Sequence, residues 1–175
     1  MLLVATRMRE TAFKRVLGAM PIGSQVKIEG PLGNLVLHNN QARAAVFLAG
    51  GIGITPFRSI LLRAAREQLS HRLFLFYANR RPEDASFLQE LEALQRQNTS
   101  YTFVPTMTDM SRLDPSRQGE TGRINQAMLA KHLKSAASPI YYMAGPPGMV
   151  RAMRTLLNSM GVDDDDIRTE EFTGY

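Results

Sequence analysis

The chain contains neither cysteine nor tryptophan. Without cysteine there is no disulfide, no thiolate nucleophile, no cysteine-ligated zinc and no cysteine-held iron–sulfur cluster. Histidine is scarce: His38, His71 and His132 stand far apart without metal-ligand spacing, and each reads as a surface residue. No apolar run approaches the ~20 residues that span a bilayer. The opening Met1-Leu-Leu-Val-Ala-Thr-Arg7 is too short for the apolar part of a secretion signal, and no Ala-x-Ala site follows it. A cytoplasmic protein is expected. The net charge of +5 is spread along the chain, and aromatic residues make up only 7%. That argues against a nucleic-acid module and suits an anionic cofactor or an acidic partner. The acidic run Asp163-Asp-Asp-Asp166 lacks the spaced ligands and glycine of a calcium loop and reads as solvated loop.

What is present is glycine at strand ends. Ala44 to Leu48 is an apolar run of strand length, Ala49-Gly-Gly-Ile-Gly-Ile-Thr-Pro56 follows, and Phe57-Arg-Ser-Ile-Leu-Leu-Arg-Ala-Ala65 has helical spacing. Strand, glycine turn and helix together present backbone N–H groups to a phosphate. Gly50, Gly51 and Gly53 allow close backbone approach. Thr55 is placed to cap the helix, with Pro56 at its first position. A tight turn without a ligand is the alternative. A second such element, Ile140-Tyr-Tyr-Met-Ala-Gly-Pro-Pro-Gly-Met149, leads into a helix over 150–160. Two glycine-rich strand ends in one small domain favour a dinucleotide crevice.

From residue 44 onward strands and helices alternate. Strands are expected at 44–48, 73–77, 101–104, 140–143 and 167–172, and helices at 56–69, 84–97, 125–133 and from 150. The pattern predicts a doubly wound, parallel five-stranded α/β sheet. Residues 109–120 read as a long surface loop. The first forty residues differ. Thr11–Leu17 reads as a short helix, Gln25–Glu29 and Asn34–Leu37 as antiparallel strands about the turn Gly30-Pro-Leu-Gly33. Too few to close a sheet, these strands leave edges that invite pairing between two copies, a homodimer. The domains are expected at 1–40, the end of a domain whose beginning is absent, and 41–175.

These motifs, in this order and spacing, resemble the ferredoxin–NADP⁺ reductase family of flavoprotein oxidoreductases over essentially the whole chain. Tyr77-Ala-Asn-Arg80, Gly122-Arg-Ile124 and Glu170-Glu-Phe-Thr-Gly-Tyr175 complete the set. The resemblance implies an NAD(P)-binding sheet preceded by a remnant of an antiparallel FAD-binding β-barrel. It implies hydride transfer from NAD(P)H to FAD, then electron transfer to an acceptor such as ferredoxin, flavodoxin, an oxygenase component or free flavin. Gly51, Gly53, Ile54, Thr55 and Pro56 would lie under the nucleotide's pyrophosphate and nicotinamide. Gly145, Pro146, Pro147 and Met149 would line its nicotinamide and adenosine side, and Asn79 and Arg80 the adenosine ribose. Glu171 and Phe172 would stand beside the flavin ring. Thr11 and Lys14 would offer the start of a helix and a cation to FAD phosphate.

The chain departs from the family in three places. The family's Arg-x-Tyr-Ser string is missing, which ties FAD binding to residues expected before Met1. Ala144 stands where many members carry cysteine, which implies a slightly wider nicotinamide pocket. Pro105-Thr-Met-Thr-Asp109 replaces the Ser-Arg that grips a 2′-phosphate. Thr108 and Asp109 therefore lean toward NADH, an Asp being the natural partner of a ribose hydroxyl, although Arg80, Arg81 and Arg112 supply cations nearby. Two other readings share the short amino-terminal part: a nucleotide-binding electron-transfer subunit completed by a partner chain, and an inactive truncated product.

Overall fold

The computed structural model describes residues 4–30, 33–109 and 119–172. The chain divides into two units, Met1–Asn34 and Leu35–Tyr175. In the first, helix α1 (Ala12–Ala19) starts where the Thr11 side chain accepts from the Lys14 N–H at 3.4 Å. It buries none of its residues, and Phe13, Val16 and Ile22 are exposed. The alternating segments 25–29 and 34–37 form no ladder among the described residues: alternation gives a strand two faces, but only a neighbouring strand makes it one. Pro31 and Leu32, at the centre of the expected turn, lie outside the described residues.

In the second unit six strands form one parallel sheet: β1 (Ala45–Gly50), β2 (Leu73–Asn79), β3 (Tyr101–Met107), β4 (Glu120–Thr121), β5 (Ile140–Gly145) and β6 (Ile167–Glu171). Their order is β4-β3-β2-β1-β5-β6. The five strands read from sequence are all present. The sixth, β4, has two residues, too few for any apolar period to show. Every residue of β1 and β5 is buried, as strands covered on both faces must be. On one face Phe47, Leu75 and Tyr142 pack beneath Phe57 and Leu61 of α2 (Ile54–Arg66) and Leu91 of α3 (Leu88–Gln97). On the other, Val46, Phe76 and Met143 pack beneath Leu129 of α4 (Gln126–His132) and Val150 and Leu157 of α5 (Pro147–Ser159). The chain winds from β1 outward through β2 to β3, then returns to the other side of β1 for β5 and β6. The winding reverses between β1 and β5.

The outer edge of β3 is covered by β4 only at Thr106 and Met107. Below that pair, the Gln95 side chain accepts the Phe103 N–H, and Pro105 has no N–H to offer. The helix expected over 84–97 is broken: Pro82–Asp84 form one tight turn, Phe87 sits in the left-handed region with φ 62°, and α3 starts only at Leu88. The segment 110–118, most of the expected long loop, lies outside the described residues. Among the described residues no helix is long and apolar enough to cross a membrane.

The histidines correct the sequence reading. His38 and His71 are buried, 7% and 3% exposed. His38 Nδ1 lies 2.8 Å from the Tyr142 hydroxyl, and its Nε2 3.1 Å from the Arg43 carbonyl. His71 Nε2–H donates to the His38 carbonyl at 2.8 Å. His132 is half-buried, 2.7 Å from Glu120. A weakly apolar ring that also bonds backbone carbonyls is as useful inside as outside, and spacing alone does not tell the two apart. The acidic run is solvated as expected, with Asp163, Asp164 and Asp165 exposed, and it is also paired: Asp166 with Arg43 at 2.6 Å, Asp164 with Arg154 at 2.6 Å, and Asp163 caps its own turn.

Burial lowers the pKa of His38 from 6.5, with the nearby Arg168 guanidinium adding to the effect. The folded state therefore favours the neutral ring. Its contribution is intact above about pH 6.5 and is lost as pH falls below that toward the depressed value. The urea midpoint of the wild type should decline over this interval. A His38→Gln variant, weaker at neutral pH, should lack that step. Asp166, held down by its hydrogen bond from Arg43, and Glu120, held down by Lys131 and then His132, lose their contribution only at lower pH, through the carboxylate range.

Candidate functional site

The reversal of winding sets the ends of β1 and β5 side by side, and each runs through glycine into a helix. The helices leave to opposite faces, α2 to one and α5 to the other. In open α/β sheets this is where a crevice opens beyond the carboxyl ends of the strands, with two helix N-termini facing it.

The two ends touch. A Cβ on Gly53 would lie 2.1 Å from the Ala144 carbonyl oxygen, and one on Gly145, at φ +155°, 3.1 Å from the Gly50 oxygen. A Cβ on Gly50 would lie 2.2 Å from Met149 Sδ. Gly53 and Gly145 are thus glycines because one strand end packs on the other, an internal reason that sequence alone did not reveal, whereas Gly50 faces side chains at the start of α5. Gly51 takes the left-handed region at φ 52°.

The caps differ from the sequence reading. Gly51–Gly53 forms one tight helical turn, and α2 begins at Ile54 with Gly53 as its cap. Thr55 lies inside the helix, its hydroxyl donating to the Ile52 carbonyl at 3.1 Å, so it does not cap; Pro56 is the third helical residue, not the first. Three N-terminal glycine-rich residues already turn the chain, which starts the helix earlier than Thr-Pro suggests. Ile54 is fully buried, and its N–H returns to the Gly51 and Ile52 carbonyls. On the other side Pro146 is the cap and Pro147 the first residue of α5, three residues before the expected start.

The end of β6 joins the same edge. Glu171 is in register with Gly145, and the Phe172 N–H donates to the Gly145 carbonyl at 3.0 Å. Phe172 is half-buried against the core and Glu171 is exposed. Residues 173–175 lie outside the described residues.

On the β2–β3 side, Thr108 N–H donates to the Asn79 carbonyl at 3.1 Å and Asp109 N–H to the Arg80 carbonyl at 2.9 Å. Arg80 Nε lies 3.6 Å from the Asp109 carboxylate, and Asp109 also attracts Arg81. Asn79 is 8% exposed, and its side-chain nitrogen has no hydrogen-bond partner. A buried amide donor left unsatisfied is costly, so it fits a ligand acceptor at this edge. Arg112 lies outside the described residues. Thr11 and Lys14 belong to the other unit, where Thr11 caps α1 and the Lys14 amine donates to the Arg7 carbonyl.

The sequence reading quoted Tyr77 in the Tyr77-Ala-Asn-Arg80 motif but gave it no role at the site. Its hydroxyl lies 3.1 Å from the Gly51 carbonyl and 3.3 Å from that of Ser86. The available signal was a hydroxyl at the end of the otherwise apolar Leu73-Phe-Leu-Phe-Tyr77.

A family model described as the oxidoreductase NAD-binding domain matches residues 47–155. One subunit of the Na⁺-translocating NADH-quinone reductase of Pseudoalteromonas atlantica is 30% identical over 156 residues, covering 87% of this chain and 38% of that protein. Its counterpart in Mannheimia succiniciproducens is 31% identical over 156 residues, with the same coverage. The chain thus spans well under half the length of these curated relatives. Among solved structures, the ferredoxin reductase in carbazole 1,9a-dioxygenase superposes with a TM-score of 0.73 at 26% identity, over 96% of this chain and 49% of that one. A ferredoxin NADP⁺ reductase from Neisseria gonorrhoeae, with FAD and NADP bound, gives a TM-score of 0.67 at 22% identity, over 94% and 71%. By sheet order, strand-end chemistry and these matches, the chain belongs to the ferredoxin–NADP⁺ reductase-like family, through its oxidoreductase NAD-binding domain.

Proposed function

We propose that this chain binds NAD(P)H in the crevice between β1 and β5 and serves an NAD(P)H-dependent flavoprotein oxidoreductase. The supporting observation is the contact of two glycine-ended strands where the winding of the sheet reverses, with the unpartnered Asn79 amide on the neighbouring strand end. The glycine turn and the start of α5 take the pyrophosphate. Gly145, Pro146, Pro147 and Met149 hold the nicotinamide side, and Asn79, Arg80, Thr108 and Asp109 the adenosine ribose. Asp109 beside that ribose favours NADH. Phe172 and Glu171, against Gly145, are the aromatic and the carboxylate that meet a flavin ring, and Thr55 lies beneath the nicotinamide. When bound, FAD supplies the chemistry of accepting a hydride and releasing electrons to an acceptor protein or small molecule; the protein supplies position and electrostatics.

The described residues of Met1–Asn34 do not fit FAD by themselves. Helix α1 buries none of its residues, so its side chains wall no enclosed flavin site. This favours a second reading, in which the chain is the nucleotide-binding half and another polypeptide completes the flavin side. Visible absorbance before and after addition of FAD and then NADH separates the two. A flavin spectrum retained by the chain and bleached by NADH is expected if the chain is a reductase as it stands. No retained flavin, with NADH binding measured by calorimetry, is expected of the nucleotide-binding half. Absence of binding by both NADH and NADPH overturns the proposal.

A further inference from the structure

Tyr77 is fully buried at the end of β2, and its hydroxyl reaches two backbone carbonyls, those of Gly51 and Ser86. Gly51 has φ 52°. Ser86 precedes Phe87, a bulky residue held in the left-handed region at φ 62°, where a side chain is strained. Phe87 is braced from above: the Arg58 guanidinium lies 4.6 Å from its ring centroid while gripping Glu90 at 2.6 and 2.7 Å. One buried hydroxyl therefore ties the glycine turn to the braced β2–α3 connection.

The tie has an electrostatic consequence. In a trans peptide the carbonyl and the following N–H point in opposite directions. A hydroxyl that draws the Gly51 carbonyl inward turns the Ile52 N–H outward. Glycine at position 51 opposes rotation of this peptide least of all residues, so hydrogen bonds must hold it: the Ile54 N–H reaches the Gly51 carbonyl from within the tight turn, and the Tyr77 hydroxyl fixes that carbonyl from outside the turn, against the sheet. If the peptide rotated, a carbonyl oxygen instead of an N–H would face an approaching phosphate.

We infer that Tyr77 is a positioning residue for nucleotide binding, holding the Gly51–Ile52 peptide with its N–H outward from a rigid anchor at Ser86–Phe87. The inference rests on the nucleotide site proposed above. Its test compares Tyr77→Phe with Tyr142→Phe, which removes another buried hydroxyl, one bonded to the backbone N–H of His38 at 2.9 Å. Both variants are studied at the same interval below their own melting temperatures. Dissociation constants for NADH and ADP-ribose are read by calorimetry, and amide exchange at residue 52 is read without nucleotide. The expected result for Tyr77→Phe is faster exchange at Ile52 and about fivefold weaker binding of both ligands, the equivalent of one hydrogen bond. Tyr142→Phe should lose thermal stability with both readings unchanged. Equal weakening in the two variants, or unchanged binding or exchange in Tyr77→Phe, overturns the inference. Failure of the wild type to bind NADH, NADPH and ADP-ribose overturns both the nucleotide site and a positioning role in it, whereas wild-type binding with an unaltered Tyr77→Phe overturns the positioning role alone.

Discussion

Gly53→Ala is expected to destabilise the protein by about 3 kcal/mol, the upper part of the range for overpacking. The added methyl would lie 2.1 Å from the Ala144 oxygen, 2.4 Å from the Ala144 carbon and 2.6 Å from the Gly145 nitrogen. All three are backbone atoms of a central strand, so no side chain can rotate away. Gly50→Ala differs although its nearest contact is as short: the atom met is Met149 Sδ, the end of a flexible side chain, and relief is cheaper. Gly148→Ala, at a position with nothing within 4 Å, should leave stability unchanged or raise it by a few tenths of a kcal/mol. Urea unfolding of the three variants measures the order. Because Gly53 holds β1 against β5, Gly53→Ala should also weaken NADH binding, whereas Gly148→Ala tests only the helix. A Gly53→Ala protein as stable as the wild type would refute the packing argument.

Replacing Asp109 with serine should shift nucleotide preference toward NADPH by about 10- to 100-fold in the ratio of dissociation constants, the value of one charge-assisted hydrogen bond gained or lost. The Asp109 carboxylate lies 3.6 Å from Arg80 and attracts Arg81 as well. In the proposed site it accepts from the ribose hydroxyls and repels a 2′-phosphate, while holding the nearest cation. Serine removes the repulsion and leaves Arg80, which is exposed on its strand end, to pair with the phosphate. Binding of NADH should weaken and that of NADPH strengthen. A variant that loses affinity for both in equal measure would place Asp109 outside the ribose site, as a brace for the backbone bond between its N–H and the Arg80 carbonyl.

Much of this architecture was legible in the sequence because it follows from apolar period and glycine position. β1, β2 and β5 are continuous apolar runs, and strands buried on both faces have no other way to read. The two strand-end motifs were visible as text, and so was their likeness to one family. Boundaries were less legible where backbone geometry overrides side-chain preference. Thr55-Pro56 suggests a helix start, yet the tight turn of Gly51–Gly53 begins it sooner. Phe87 looks like one face of a helix and instead breaks it, because Arg58 and Tyr77 hold its neighbourhood in a conformation no local rule favours. The burial of His38 and His71 depends on Tyr142, far away in sequence. The reason for Gly53 lies in the Ala144 carbonyl, a contact that exists only once the sheet has formed.

The outer rim of β3 bears on whether folded molecules stack on one another. A bare strand edge offers its N–H and carbonyl row to any other chain, and a growing stack of such pairings leads to insoluble aggregates. Here the rim cannot serve as a template. Phe103 has already given its N–H to Gln95, and Pro105 has none, so a strand arriving from another molecule meets interrupted hydrogen bonding over the stretch that β4 leaves uncovered. One side-chain amide and one imino acid thus keep the side of the sheet farthest from the glycine crevice closed to growth, and the length of β4 is free to remain at two residues.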